Sequence, residues 1–374
     1  MDLLKNNLFM KTKARLIAFY LPQYHPIPEN NEWWGKGFTE WTNVGKAKKL
    51  FKGHNQPKIP ADLGYYDLRL AETRKAQADM AREYGVEGFC YWHYWFGNGK
   101  RLIEQPFNEV VNSGEPDFPF CLAWANDSWM AKLWNSEGTC KKEILQEQLY
   151  LGDEDYREHF DVLLPAFKDK RYIRVNNKPL FMIYKPLEFP EVSHFIQLWQ
   201  KWAKENGLEG IYFVGQTPNI KKRDLILGKG FDAVNVVRLF EFVRYGRSFT
   251  RRVVDKLKRE IFSLPFIFQY KDAMKGFVGK EDSEIKVMPS IIPNWDHTPR
   301  SGLGGHVYLN STPELFGKHV AEVLEKIKDK PDQERIAFIK SWNEWGEGNY
   351  LEPDLKYGLA HLKELKRVLK AFEK

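Results

Sequence analysis

Eight short apolar runs, separated for the most part by helix-like segments, constrain this chain more than any other feature. They fall at residues 15–22, 86–92, 118–126, 179–184, 210–215, 231–237, 286–292 and 335–339. Each is apolar on both faces, so each needs cover on both sides, as in a parallel sheet dressed by helices. Residues 67–84 read as a helix, with Leu68, Leu70, Ala71, Ala78, Met80 and Ala81 on its apolar face and a stop at Gly85. Another holds Phe195, Ile196, Leu198, Trp199, Trp202 and Ala203, and closing helices are expected over 313–329 and 358–372. Eight strands of this kind favour closure into a (β/α)8 TIM barrel, of the α/β class, over an open doubly wound sheet. The first strand-to-helix loop also lacks the glycine fingerprint of a dinucleotide fold. Residues 1–13 are expected to form a loose extension, with Met10 as an alternative start. Residues 14–374 then make one domain with long loops at the C-terminal face of the strands.

Composition excludes several classes. With 43% hydrophobic and 29% charged residues the chain can build a sizeable core, and disorder is excluded. The formal charge of +7 favours a partner or substrate of negative charge. Its densest basic stretch, residues 244–259, holds Arg244, Arg247, Arg251, Arg252, Lys256, Lys258 and Arg259. That stretch reads either as the wet face of a helix or as a peripheral contact with anionic lipid. No zinc-finger spacing, RNP-like segment or phosphate loop is present, so no nucleic acid or nucleotide partner is expected. Cys90, Cys121 and Cys140 make neither a disulfide framework nor a metal cluster. The N-terminus lacks the apolar core of a secretory signal, and no run reaches a membrane span. These features read as a cytoplasmic protein, with the inner membrane face as its place if the basic stretch meets lipid. Nothing in the sequence sets an oligomeric state.

Unusual residues gather where the strands end, which in such a barrel is where an active site belongs. The first run leads into Gln23, Tyr24 and His25, then Trp33, Trp34 and Trp41. The second ends in Trp92, His93 and Trp95, and the third in Trp124, Asn126, Asp127 and Trp129. Gln216 follows the fifth, and Trp295, Asp296 and His297 follow the seventh. Only Trp199 and Trp202 of the 13 tryptophans fall in expected helices. Indoles clustered at one rim suit a cleft for extended sugars, although large loops also need indoles for their own packing. His25, His93 and His297 could in principle bind metal, but lack H-x-H spacing, so no metal or other cofactor is expected. Lys185 and Arg300 are candidates for an anionic substrate group.

After the eighth run comes Ser341-Trp342-Asn343-Glu344-Trp345-Gly346-Glu347-Gly348. Two carboxylates three residues apart, among tryptophans, Asn343 and glycines, suit glycosidic chemistry, which needs one acid and a second group as base or nucleophile. Burial against Trp342 and Trp345 would raise a carboxyl pKa, as acid catalysis requires. The plainer alternative is a strand-end turn with both glutamates facing water. Glu352 is a third acid nearby, less suited to take part.

Residues 15–25, 33–41, 88–95 and 341–352 resemble the WbsX-like proteins of bacterial surface-polysaccharide gene clusters, which are related to glycoside hydrolase family 99. The resemblance covers about residues 13–372. It implies a (β/α)8 barrel that cleaves α-mannan-type chains with retention, through attack of the sugar's own 2-hydroxyl. By that resemblance Glu344 is the 2-hydroxyl base and Glu347 the general acid/base, while Tyr24, His93 and Trp124 line a subsite. Gly346 stands where the hydrolase branch is expected to carry a bulkier or basic residue, which implies a different subsite. The reading is a retaining glycosidase or transglycosylase acting on an oligosaccharide or lipid-linked glycan of surface-polysaccharide metabolism. The alternatives are a glycosyltransferase of O-antigen or capsule synthesis, and a non-catalytic glycan-binding barrel.

Overall fold

A computed structural model describes residues 13–134 and 140–373. All but Lys13 of the expected N-terminal extension, Met10 included, lies outside the described residues. Each of the eight runs forms a strand, short because its β-branched and aromatic residues are bounded by proline, glycine or a helix. They are β1 (Arg15–Tyr20), β2 (Gly88–His93), β3 (Phe120–Trp124), β4 (Lys178–Ile183), β5 (Tyr212–Thr217), β6 (Ala233–Val236), β7 (Val287–Ile291) and β8 (Ile336–Ile339). Every neighbouring pair runs parallel, from β1 beside β2 round to β8 beside β1. The ring closes through β3 and β4, where Leu122, Ala123 and Trp124 face Phe181, Met182 and Ile183. Closure leaves no barrel edge unpaired and makes the interior a packed core. Within it, Gln216 donates to Asn235 (2.9 Å) and Asn235 to Ser290 (3.1 Å), a polar link joining β5, β6 and β7.

The expected helices form at Ala71–Glu83, Val192–Glu205, Pro313–Ile327 and Ala360–Phe372. Other elements differ from expectation. The long first loop contains two short helices, Pro28–Trp34, started by its proline, and Glu40–Gly45, capped reciprocally by Thr39 and Thr42. The third loop carries an antiparallel hairpin, Trp129–Trp134 against Cys140–Gln146, then a helix, Asp153–Lys168. Its start is marked by Asp153, Glu154 and Asp155, which favour the positive end of a helix. Cys90 and Cys121 are buried, free and opposite one another on β2 and β3. Among the described residues no helix is long and apolar enough to cross a membrane.

Candidate active site

The chain leaves β8 at Lys340 and turns back on itself. Asn343–Glu344 pairs antiparallel with Asn349–Tyr350, and a single 3-10 turn, Trp345–Glu347, joins them. Gly346 is required there because a Cβ would lie 1.5 Å from Glu40 Oε1. Gly348 has φ of 55°, which a side chain would strain. Asn343 pins the turn to the end of β1, accepting from the Leu21 N–H (2.7 Å) and donating to the Leu21 carbonyl (3.0 Å). The Tyr24 hydroxyl donates to the Asn343 carbonyl and accepts from the Trp345 N–H. Trp345 stacks on Tyr350 and donates to Glu352 (2.6 Å), and Trp342 is fully buried. Tyr24, Trp41, Trp342, Asn343 and Trp345 therefore form the scaffold behind the turn. Both indoles of the octapeptide, expected beside the acids, point into the protein.

In front of the turn opens a cavity of about 880 Å³, within the range that holds oligosaccharide-sized ligands. Trp34, Phe38, Trp92, Tyr94, Trp129 and Tyr184 supply its aromatic walls. Glu344, Glu347, Lys340, Glu40, Arg300, His297, Asp127 and Lys46 supply its charged and polar groups. The loops after β1, β3 and β7 contribute to the lining, whereas the loop after β6, although long, contributes none of these residues.

Electrostatics separate the two glutamates. Glu344 is buried, accepts from Trp92 Nε1 (2.8 Å), and lies 3.6 Å from Lys340 Nζ. Burial pushes its pKa up to about 7, opposed by Lys340 and reinforced by the neighbouring Glu347. Burial also penalises Glu347, but Arg300 and then Lys340 outweigh that cost and hold its carboxyl below the ordinary value. Arg300 Nη1 donates to Glu347 (2.8 Å) while its Nε donates to Glu40 (3.0 Å), and Lys340 Nζ lies 3.9 Å from Glu347. The two carboxyl groups lie close enough for each to shift the acidity of the other. As pH falls, such a pair takes up one proton before a second, and its surroundings favour Glu344 as the holder of the first.

Of the residues the sequence singles out, Gln23, Trp34, Trp92, Asp127, Trp129, His297, Arg300, Glu344 and Glu347 meet at the cavity. The others do not line it. Trp33 packs edge-on against Trp129, and Trp295 stacks on His297 and sits 5.8 Å under Lys340, so both support the wall from behind. Trp95 donates to Asp155, Trp124 donates to the Trp95 carbonyl, and His93 bonds His159 (2.8 Å), all in the core. Asn126 bonds the Lys185 backbone in both directions, and Asp296 accepts from His54, Gln56 and Thr298. His25 is buried, and Gln216 belongs to the polar link between strands. Lys185 pairs with Asp127 and Glu188. Among the described residues no group of His, Cys, Asp or Glu is placed to hold a metal ion. Lys340, Glu40, Tyr94 and Tyr184 carry no role in the sequence reading. Lys340 had a signal, since it stands four residues before Glu344, just ahead of the octapeptide.

Glu352 is a buried strut, accepting from Trp345, Gln77 (2.7 Å) and Tyr66 (2.9 Å). Burial raises its pKa to about 7 from an ordinary 4.5. The folded state thus holds a proton that the unfolded chain releases sooner, so this group's stabilisation is full in acid and is lost as pH rises from 4.5 to about 7. Glu352→Gln is expected to flatten the melting temperature across that window. A slope identical to that of the wild type would refute the assignment.

Barrel and cavity together define a class, the (β/α)8 barrels with a pocket at the C-terminal ends of their strands. The chain is similar in fold to a GH99 endo-alpha-mannosidase from Bacteroides thetaiotaomicron, with a TM-score of 0.57 at 15% identity over 96% of this chain and 97% of that one. A glycoside hydrolase-like protein gives 0.61 at 13% identity, over 96% and 94%. Residues 16–365 match the family described as Glycosyltransferase WbsX, and the chain belongs to that family. Uncharacterized protein WxcX from Xanthomonas campestris pv. campestris, in strains B100 and ATCC 33913, is 36% identical over 359 residues, 95% of this chain. The chain spans 50% of the length of those relatives.

Proposed function

We propose that this chain is a retaining glycosidase or transglycosylase that acts on an oligosaccharide or lipid-linked glycan, with Glu344 and Glu347 as its catalytic pair. One observation carries the reading: two carboxyl groups, driven apart in acidity, line the same aromatic-walled cavity, which is large enough for sugars. Indole and phenol faces stack on pyranose rings, and Asp127, His297 and Lys46 can bond hydroxyls. The substrate is an α-mannoside-like sugar, cleaved with help from its own 2-hydroxyl. One glutamate removes the 2-hydroxyl proton, and the freed oxygen attacks the anomeric carbon. The other glutamate protonates the departing glycosidic oxygen, leaving a 1,2-anhydro sugar. The second glutamate, now ionised, takes a proton from water or an acceptor hydroxyl, whose oxygen opens the anhydro ring as the 2-hydroxyl regains its proton. Water gives hydrolysis, and a sugar hydroxyl gives transfer.

Family resemblance makes Glu344 the base and Glu347 the acid. The charges around the pair support the reverse order, because Arg300 favours the ionised form of Glu347 while burial favours the protonated form of Glu344. A 2,4-dinitrophenyl α-mannoside separates the two, since its leaving group needs no proton. The general-acid variant still releases dinitrophenolate in the first step, as a burst ahead of slow ring opening, and the base variant releases none. A burst from Glu347→Gln supports the family order, and a burst from Glu344→Gln the reverse. Tight binding of a sugar nucleotide without turnover of any glycan would overturn hydrolysis in favour of a sugar-nucleotide transferase.

A further inference from the structure

The loop after β6 contains a helix, Phe249–Phe262, that is inside out for a protein in water. None of its residues is buried. Phe249, Val253, Leu257 and Ile261 recur every fourth position and form one stripe, with Phe249 80% and Ile261 70% exposed. Val254 widens that stripe, and Tyr245 just before the helix is also exposed. The side turned to the protein is polar instead. Asp255 pairs with Arg247 (3.0 Å) and Arg251 (3.2 Å), and the Arg259 guanidinium lies 3.9 Å from the Phe266 ring centre. Arg251, Arg252, Lys256 and Lys258 flank the stripe and are exposed.

We propose that this helix docks the barrel onto a bilayer surface rich in anionic phospholipid, lying in the plane of the headgroups with its apolar stripe inserted. An apolar face rimmed by cations is the pattern such a surface takes up. Charge selects lipid over a second copy of the chain. A symmetric pairing of two such faces would bring both basic flanks together, whereas anionic headgroups neutralise them. The overall charge of +7 adds to the same attraction. The helix also sits at the cavity end of the barrel. Phe266 under Arg259 stacks on His306, two residues from Gly304 of the cavity wall. Docking would therefore bring the cavity close to a glycan whose other end is anchored in lipid. That last consequence rests on the proposed function, and the docking itself does not.

Vesicle co-sedimentation tests the docking without any glycan. Phosphatidylcholine vesicles containing about a third phosphatidylglycerol are expected to bind the protein, and pure phosphatidylcholine vesicles to bind it far less. Each headgroup-facing cation contributes about fivefold, so Lys256→Ala with Lys258→Ala should weaken binding about 25-fold. Phe249→Ser with Ile261→Ser should abolish it while leaving the melting temperature unchanged, because both side chains already face water. Failure to bind the anionic vesicles would overturn the proposal, as would equal binding to both vesicle types. So would a lipid-free dimer that the Phe249→Ser, Ile261→Ser variant dissolves, since a second copy would then cover the stripe. A wild-type protein that turns over glycan but binds no anionic vesicles would overturn the docking alone. The converse result would leave docking standing and remove the glycosidase reading.

Discussion

Glu347→Gln is expected to reduce turnover of the glycan about 10³-fold, the usual scale for losing a group that moves a proton in the transition state. Glutamine keeps the shape of the side chain and one acceptor for Arg300, so the melting temperature should stay close to that of the wild type. What it removes is the charge. Glu347 is the partner that pushes Glu344 upward, after burial, so the variant should also lower the pKa of Glu344. Lys340, 3.6 Å from Glu344, would then face a more fully ionised carboxylate. The single proton of the resting pair is lost with either member. Glu344→Gln should therefore cost about as much, and the double variant little more, because residues that act as a unit do not add. Steady-state rates of the three variants, with thermal melts alongside, check this. Wild-type rates in a folded Glu347→Gln protein would end the catalytic assignment.

The barrel was legible because each strand is a dense apolar run, and a run apolar on both faces has few folds open to it. Site chemistry was legible in part, for a related reason. Glu344 and Glu347 stand out since carboxylates among indoles and glycines serve no ordinary packing role. What periodicity could not show was which way each indole turns. Trp342 and Trp345 follow the backbone of a reversing turn, so they face the core while Glu344 and Glu347 face the cavity. Trp124 and Trp95 end their strands pointing at His159 and its neighbours. The cations were harder still. Arg300 and Lys340 reach the acids from different loops, and Glu40 arrives from a segment about 300 residues earlier in the chain. Such contacts depend on how the loops close over the barrel mouth, a property of tertiary packing that local pattern does not carry. The helix Phe249–Phe262 was legible only in part, for the opposite reason. Its charges were visible, but its inward polar face required knowing which side meets Phe266 and Arg247.

Gly346→Ala is expected to destabilise the fold by about 3 kcal/mol, the low end of the cost of breaking a buried ion pair, and to abolish activity along with it. The new methyl group would lie 1.5 Å from Glu40 Oε1, 2.7 Å from its Cδ and 3.1 Å from Arg300 Nε. None of the three can yield cheaply. Glu40 is buried, and its backbone N–H is tied to the Gln23 carbonyl (3.1 Å). If the Glu40 carboxylate moves, Arg300 loses one of its two partners and pivots about Glu347, whose acidity it sets. The glycine that departs from the bulkier or basic residue expected by family resemblance is thereby accounted for: the Glu40 carboxylate and Arg300 fill the space. Glu40→Ala in the Gly346→Ala background should recover stability by clearing the methyl's path. It should not recover the native rate, because Arg300 is then left to Glu347 alone. A double-mutant cycle on melting free energies should accordingly show coupling of about 1–3 kcal/mol between the two positions. Additive effects, or a Gly346→Ala protein as stable and active as the wild type, would mean that Glu40 does not occupy that space, and the account of how Glu347 keeps its charge would fall with it.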